Sequence, residues 1–142
     1  MILKIELIGN TPSSKNSKVF NMGRKMCFSS AACSRWKKIN RYFLNTLPRG
    51  IDWKYPVKVK MNLYFTDKTA RDWNNISQII MDELTPKYRL VPNNDGSGKK
   101  HREMIDKGII ADDDMAHAKP VYGDFGYDKN NPRAEIIITD EE

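Results

Sequence analysis

The sequence contains few cysteines and histidines and no long apolar segment, and each shortage excludes a class of protein. Cys27 and Cys33 are its two cysteines, and no histidine pair accompanies them at the spacing of a metal site. A disulfide framework and a zinc ribbon are therefore excluded, and two reduced structural cysteines are expected. No apolar run approaches the roughly 20 residues that a membrane-spanning helix requires. The first residues also lack the features of a signal peptide, so we expect a cytoplasmic protein.

Composition and charge predict a globular protein of one domain with two electrostatically different halves. The 142 residues are 39% hydrophobic and 30% charged, which is typical of a globular chain. Residues 1–60 carry thirteen Lys and Arg against two acids, whereas residues 61–142 carry eleven against sixteen. A basic half suits a polyanion and an acidic half suits divalent cations. A solvated surface explains the basic residues equally well.

Two amphipathic helices are predicted from apolar residues at helical spacing. The first begins after a capping serine, Ser29 or Ser30, and ends at Pro48. The second begins after Asp72, whose carboxylate stands where an N-cap stands. The side chains expected to be buried are Ala32, Trp36, Ile39, Phe43 and Leu47 in the first helix, and Ile76, Ile79, Ile80 and Leu84 in the second.

The strands are predicted from alternation of apolar and polar residues, and the predicted class is α+β. The expected strands are residues 2–8 at a sheet edge, 57–65, 115–121 and 134–139, with a short hairpin from 19–20 and 26–28. Residues 85–107 are polar and basic, and are expected to form a flexible segment without regular structure. Residues 123–132 are expected to be a turn-rich loop. Together these elements predict a small mixed sheet packed with two main helices.

The clearest functional pattern is Arg71-Asp72-Trp73-Asn74-Asn75, followed later in the chain by Asp112-Asp113-Asp114. A capping carboxylate, an amide oxygen two residues on and a second carboxylate cluster are oxygen ligands of the kind that Mg²⁺ prefers. The positive end of the helix dipole also favours phosphate. The pattern therefore predicts a magnesium site for phosphate chemistry, as in a nuclease. Asp82 lies too far along the helix to share a metal with Asp72 and is expected to be structural.

Three motifs, taken in order, resemble the RusA family of Holliday junction resolvases over most of the chain. They are Pro12-Ser13-Ser14-Lys15-Asn16, Arg71-Asp72-Trp73-Asn74-Asn75 and Gly108-Ile109-Ile110-Ala111-Asp112-Asp113. The corresponding family patterns are Pro-Pro-Ser-x-Asn, Arg-Asp-x-Asp-Asn and Gly-hydrophobic-x-x-Asp-Asp. The resemblance implies a mixed α+β fold in a phage or prophage homodimer. It also implies cleavage of four-way DNA junctions with Mg²⁺ or Mn²⁺.

The resemblance implies roles for particular residues, and two of them depart from the family pattern. It implies that Asp72, Asn74 and Asp113 are catalytic, and that these three and Asp112 bind metal. Asn74 replaces the usual second aspartate, and Gln78 stands where a lysine is often found, so both remove charge. Weaker metal binding is expected, because an amide oxygen carries no charge. The DNA contacts expected of such a resolvase are Lys15, Asn16, Lys18, Arg24, Lys25, Arg71 and Gln78.

Three functions remain open from the sequence. The first is a metal-dependent endonuclease that resolves four-way junctions as a homodimer, with no membrane partner. The second is a family member that binds branched DNA without cutting it, which the loss of charge at Asn74 and Gln78 favours. The third is an α+β interaction module, such as a phage protein that targets a host protein, whose acids are solvated turns.

Overall fold

A computed structural model describes residues 1–13, 18–21 and 26–141, with residues 18–21 and 26–29 described as backbone only. Two helices and eight strands form within these residues, and the predicted α+β class is confirmed. Neither of these two helices is long and apolar enough to cross a membrane. In chain order the elements are β1 (Ile2–Ile8), β2 (Lys18–Asn21), β3 (Met26–Ser29), α1 (Ala31–Leu44), β4 (Lys58–Phe65), α2 (Trp73–Leu84), β5 (Lys87–Pro92), β6 (Lys100–Asp106), β7 (Tyr122–Tyr127) and β8 (Arg133–Thr139).

The main sheet has four strands in the order β1-β8-β4-β7. β8 is antiparallel to both β1 and β4, whereas β7 is parallel to β4. A parallel pair needs a crossover connection, and α2 lies within the crossover between β4 and β7. β1 is an edge strand, as predicted. The predicted strand at 134–139 and the short hairpin of β2 with β3 are also confirmed.

The core lies between one face of this sheet and the buried faces of the two helices. Alternate residues of β4 are buried and the residues between them are partly exposed, which confirms the predicted period of two. The predicted apolar face of α2 is confirmed as well. The buried residues of these two elements include Val59, Met61, Leu63 and Phe65 of β4, and Ile76, Ile79, Ile80 and Leu84 of α2.

The buried face of α1 differs from the prediction. The helix begins as predicted, since Ser30 Oγ accepts a hydrogen bond from the Cys33 backbone N–H at 3.2 Å. Ala32, Ile39 and Phe43, however, are exposed instead of buried, and the helix ends at Leu44, so that Leu47 lies beyond it. The side chains that face the core are Cys33, Trp36, Asn40 and Leu44. The predicted and the observed buried residues both have helical spacing and share Trp36. The observed set includes Asn40, whose amide forms hydrogen bonds with Ile8 at the end of β1. A hydrophobic pattern does not reveal such a buried polar residue.

Two segments that were predicted to be loops contain strands, and one predicted strand is a turn. Residues 85–107 contain β5 and β6, paired as an antiparallel hairpin. Residues 123–132 contain most of β7. The strand predicted at 115–121 is absent from the described structure, where this segment is mainly a turn with one isolated bridge between Val57 and Ala118. The acidic run is therefore followed by a turn that leads into β7, which forms the edge of the sheet opposite β1.

Candidate functional site

The first turn of α2 holds the central part of the predicted site. Asp72 is the N-cap of this helix, and its Oδ1 accepts a hydrogen bond from the Asn74 backbone N–H at 3.0 Å. The predicted cap is confirmed. A short carboxylate side chain on extended backbone suits this position, because the first N–H groups of a helix have no partner within the helix. One predicted ligand therefore has a structural role in starting the helix.

A cleft of about 420 Å³ lies between α2 and the turn that follows the acidic run. Asn74 and Gln78 line it from the helix, and Asp113 of the acidic run lines it from the opposite side, where the turn begins. Gln78 Nε2 donates to Asp82 Oδ1 at 2.8 Å and to Asp113 Oδ2 at 3.4 Å. Two motifs that are far apart in the sequence thus meet at one cleft.

The Gly-Ile-Ile part of the third motif fixes the acidic run beside α2. The backbone N–H groups of Ile109 and Ile110 both donate to the Leu84 carbonyl, at 2.8 and 3.0 Å. Both isoleucine side chains are buried in the core. Gly108 has a φ of +72°, and a Cβ there would lie 2.7 Å from the backbone of Thr85. Glycine is therefore required at the point where the chain approaches the end of α2.

The three neighbouring acids have different partners. Asp112 Oδ1 accepts a hydrogen bond from the Asp113 backbone N–H at 2.7 Å. Asp114 Oδ1 lies 2.6 Å from His117 Nδ1 and accepts from the His117 backbone N–H at 3.1 Å. The hydrogen bond from the His117 side chain is the main cause that lowers the pKa of Asp114. Asp112 and Asp114 therefore shape the turn, whereas Asp113 faces the cleft.

The predicted metal ligands are only partly brought together. Asn74 and Asp113 line the cleft, whereas Asp72 and Asp112 do not. Across the described ranges, no group of three or more His, Cys, Asp or Glu side chains is placed to hold a metal ion. Mg²⁺ commonly uses one or two protein carboxylates and keeps several waters that a substrate phosphate can replace. The Asp113 carboxylate beside the Asn74 amide fits such a loosely held ion and not an all-protein cage.

A second cleft, of about 460 Å³, lies between the β4–α2 loop and the end of β7. Arg71 lies here, with its guanidinium 3.9 Å from the centroid of the Phe65 ring and its Nη2 2.8 Å from Asp67 Oδ1. Phe125 and Tyr127 of β7 line the same cleft. Sequence analysis missed both aromatic residues because their segment was predicted to be a loop. Their signal is the aromatic density of Tyr-Gly-Asp-Phe-Gly-Tyr, which is high for a polar loop.

Trp73 connects the two clefts. Its ring packs against Phe125 with centroids 5.4 Å apart, and the same residue lines the cleft that contains Asp113. The first helical residue of α2 therefore separates an aromatic, cationic surface from a polar, acidic one. Both surfaces flank the same helix N-terminus, where phosphate is favoured.

Most of the predicted DNA contacts lie outside the described residues. This applies to Lys15, Asn16, Arg24 and Lys25, while Lys18 begins β2 in a part described as backbone only. The segment that leads into this region is fixed beside the candidate site. Asn10 Nδ2 donates to Thr66 Oγ1 at 3.1 Å, and the Thr66 backbone N–H donates to Asn10 Oδ1 at 3.0 Å. The chain thus enters Pro12-Ser13-Ser14-Lys15-Asn16, which we call the first basic motif, next to the loop that carries Arg71.

Comparison with known proteins adds no family assignment: no family model matches the chain, and no curated protein matches it either. The resemblance to the RusA family therefore rests on the three motifs and their order.

Proposed function

We propose that the chain is a metal-dependent endonuclease that cuts four-way DNA junctions. The observation that carries this proposal is the meeting of Asn74 and Asp113 at one cleft, with Gln78 contacting Asp113. These residues come from the two motifs in which the resemblance implies catalytic residues. Nothing in the separate motifs requires them to meet, so their convergence supports a shared site.

Asn74 and Asp113 would hold the metal ion through one amide oxygen and one carboxylate. When bound, Mg²⁺ polarises a phosphoryl oxygen and lowers the pKa of a water. Asn74 supplies no negative charge and no base, so the ion is held mainly by one carboxylate and by waters. Slow cleavage is expected for this reason. Mn²⁺ is the expected substitute.

The charge distribution supports DNA as the substrate. The basic first half of the chain would neutralise phosphates and release counterions, which favours binding to any nucleic acid. The contact between Asn10 and Thr66 brings the start of the first basic motif to the loop of Arg71. Paired cuts in a symmetric junction require two copies of the site, so the active form is proposed to be a homodimer in the cytoplasm of a bacterial cell.

A second function, binding of branched DNA without cutting, is favoured by one specific observation. Gln78 donates its amide N–H groups to Asp82 and Asp113, and so occupies a carboxylate oxygen that a metal ion would need. Together with the neutral Asn74, this contact lowers the cleft's affinity for a cation. A protein disarmed in this way would protect a junction or mark it for another enzyme.

Cleavage of a labelled synthetic four-way junction in Mg²⁺ and then in Mn²⁺ tests the proposal. We expect slow cleavage by the unmodified chain, faster cleavage by Asn74→Asp and none by Asp113→Asn. Asp124→Asn is the matched control, because this exposed acid of β7 does not line the cleft. Cutting by Asp113→Asn at the unmodified rate would contradict the proposed site. Cutting only after Asn74→Asp, together with junction binding by the unmodified chain in an assay without metal, would establish the binding function instead.

A further inference from the structure

The hairpin of β5 and β6 extends from the body of the domain without contributing to its core. None of the buried hydrophobic residues falls between Leu84 and Ile109. The seven residues of β6 span roughly 23 Å at about 3.3 Å per residue. Two strands alone are marginally stable in water, so this hairpin contributes little to the stability of the fold. A binding role is therefore considered for it.

The two faces of the hairpin differ in composition, as the strand register shows. Tyr88 is paired with Met104, and Leu90 with Arg102, so these side chains share one face. We call this the open face, and the opposite one the paired face. The open face consists of Tyr88, Leu90, Pro92, Lys100, Arg102 and Met104, and the paired face of Lys87, Arg89, Val91, His101, Glu103 and Asp106.

The charges of the paired face are compensated. Glu103 lies 3.8 Å from Arg89, and Lys87 Nζ lies 2.8 Å from Glu83 on α2. Asp106 Oδ1 accepts a hydrogen bond from Arg49 Nε at 3.0 Å. The last two ion pairs also fix the base of the arm to the body of the domain.

The open face carries cations without acids. Lys100 and Arg102 have no carboxylate within ion-pair distance among the residues that the structure describes. The Arg102 guanidinium lies 4.1 Å from the centroid of the Tyr88 ring, which holds it on this face. Leu90 is 66% exposed and Met104 is 51% exposed. Uncompensated cations among exposed apolar side chains suit a polyanion that also offers apolar contacts.

We infer that the open face of this hairpin enters the major groove of duplex DNA. The major groove of B-form DNA is about 12 Å wide and admits a two-stranded ribbon. Lys100 and Arg102 then reach phosphates, and Leu90 and Met104 contact base edges such as the thymine methyl group. The deep, narrow major groove of A-form RNA excludes the same ribbon. The inference rests on the proposed function, for which it supplies a contact with an arm of the junction.

Fluorescence anisotropy with a labelled DNA duplex at several salt concentrations tests the inference. The variant is Lys100→Ala with Arg102→Ala. The control is Arg89→Ala with Lys107→Ala, which removes the same charge from the same region but not from the open face. Two lost phosphate contacts make the negative slope of log affinity against log salt shallower by about 1.8, and lower the affinity by about tenfold. The control should retain the slope of the unmodified chain to within about 0.5.

Junction cleavage by the same proteins separates the two proposals. If both double variants bind the duplex with the affinity and salt slope of the unmodified chain and still cut junctions, the hairpin contact is wrong and the proposed nuclease is not affected. Equal losses in both double variants would mean that charge alone matters, which also overturns the contact. If the unmodified chain binds no DNA at all, the hairpin contact and the proposed function are both wrong.

Discussion

Asn40 provides a direct test of how the first basic motif is positioned, because it joins α1 to the end of β1. Its side chain is 0% exposed. Its Oδ1 accepts from the Ile8 backbone N–H at 2.7 Å, and its Nδ2 donates to the carbonyls of Ile8 and Trp36, each at 3.0 Å. Replacing Asn40 by Ala removes these three hydrogen bonds and leaves a gap in the core.

The expected loss of stability follows from the groups that lose partners. A buried backbone group without a partner costs about 1–3 kcal/mol, and Ile8 loses the partner of both its N–H and its carbonyl. The two bonds to Ile8 are only partly buried, so water reaches these groups in part and the lower end of that range applies. Asn40→Ala should therefore lower the free energy of unfolding by about 2–3 kcal/mol. The corresponding fall in Tm is roughly 6–12 °C for a chain of this size.

Urea denaturation followed by circular dichroism measures this loss. Asn45→Ala is the control, because Asn45 is exposed and caps the same helix through its backbone N–H, which alanine retains. The control should change the free energy of unfolding by less than about 0.5 kcal/mol. If Asn40→Ala loses no more than the control, the bonds to Ile8 contribute nothing to stability. The proposed link between α1 and the first basic motif would then be wrong.

Three further predictions concern the helix cap, the edge strand and the response to acid. Asp72→Ala should lower the free energy of unfolding by about 1 kcal/mol through loss of the cap, whereas Asp72→Asn, which can still cap the helix, should not. Equal losses of the two variants in a urea titration would contradict the role of Asp72 as the cap. Gly123→Ala should abolish soluble, folded protein, because its Cβ would lie 1.7 Å from the Met61 carbonyl oxygen. Gly98→Ala is the control and should stay soluble, because a Cβ there has no neighbour within 4 Å. Size-exclusion chromatography of both variants measures the difference. The hydrogen bond from the Lys54 backbone N–H, followed by that from the N-terminal amine, lowers the pKa of Asp140. Since its pKa is lowered by folding, Asp140 stabilises the fold fully above its unfolded pKa of about 4 and loses that effect as pH falls through its lower folded pKa. The urea concentration at the unfolding midpoint should therefore decrease as the pH is lowered below about 4, and it should decrease less in Asp140→Asn. An equal decrease in the two proteins would contradict this contribution.

The elements that could be predicted from the sequence are those that bury one regular face. β4 and α2 each have a clean period, and packing follows that period. β7 was missed because Gly123 and Gly126 interrupt its pattern. A Cβ at Gly126 would lie 2.6 Å from the Tyr64 ring, so glycine is retained there for close packing although it disfavours a strand. The arm of β5 and β6 was missed because it buries neither face and so has no apolar period to detect.

The candidate site was predictable in its motifs but not in its geometry. The cap formed by Asp72 follows from local chemistry and was predicted correctly. The position of Asp113 depends on the bonds from Ile109 and Ile110 to Leu84, which join segments on either side of the hairpin. The sequence does not show whether Asp112 or Asp113 faces Gln78, because that depends on the conformation of the turn at 113–121.

The proposed function requires Asn74 and Asp113 to hold one divalent ion between α2 and the turn after the acidic run. Mn²⁺ is paramagnetic and broadens NMR signals close to it, so adding small amounts to the ¹⁵N-labelled protein tests this claim. We predict selective broadening of the side-chain amide signals of Asn74 and Gln78, and its loss in Asp113→Asn. Broadening confined to other acids, such as Asp95 at the tip of the hairpin, or equal broadening in Asp113→Asn, would contradict the claim.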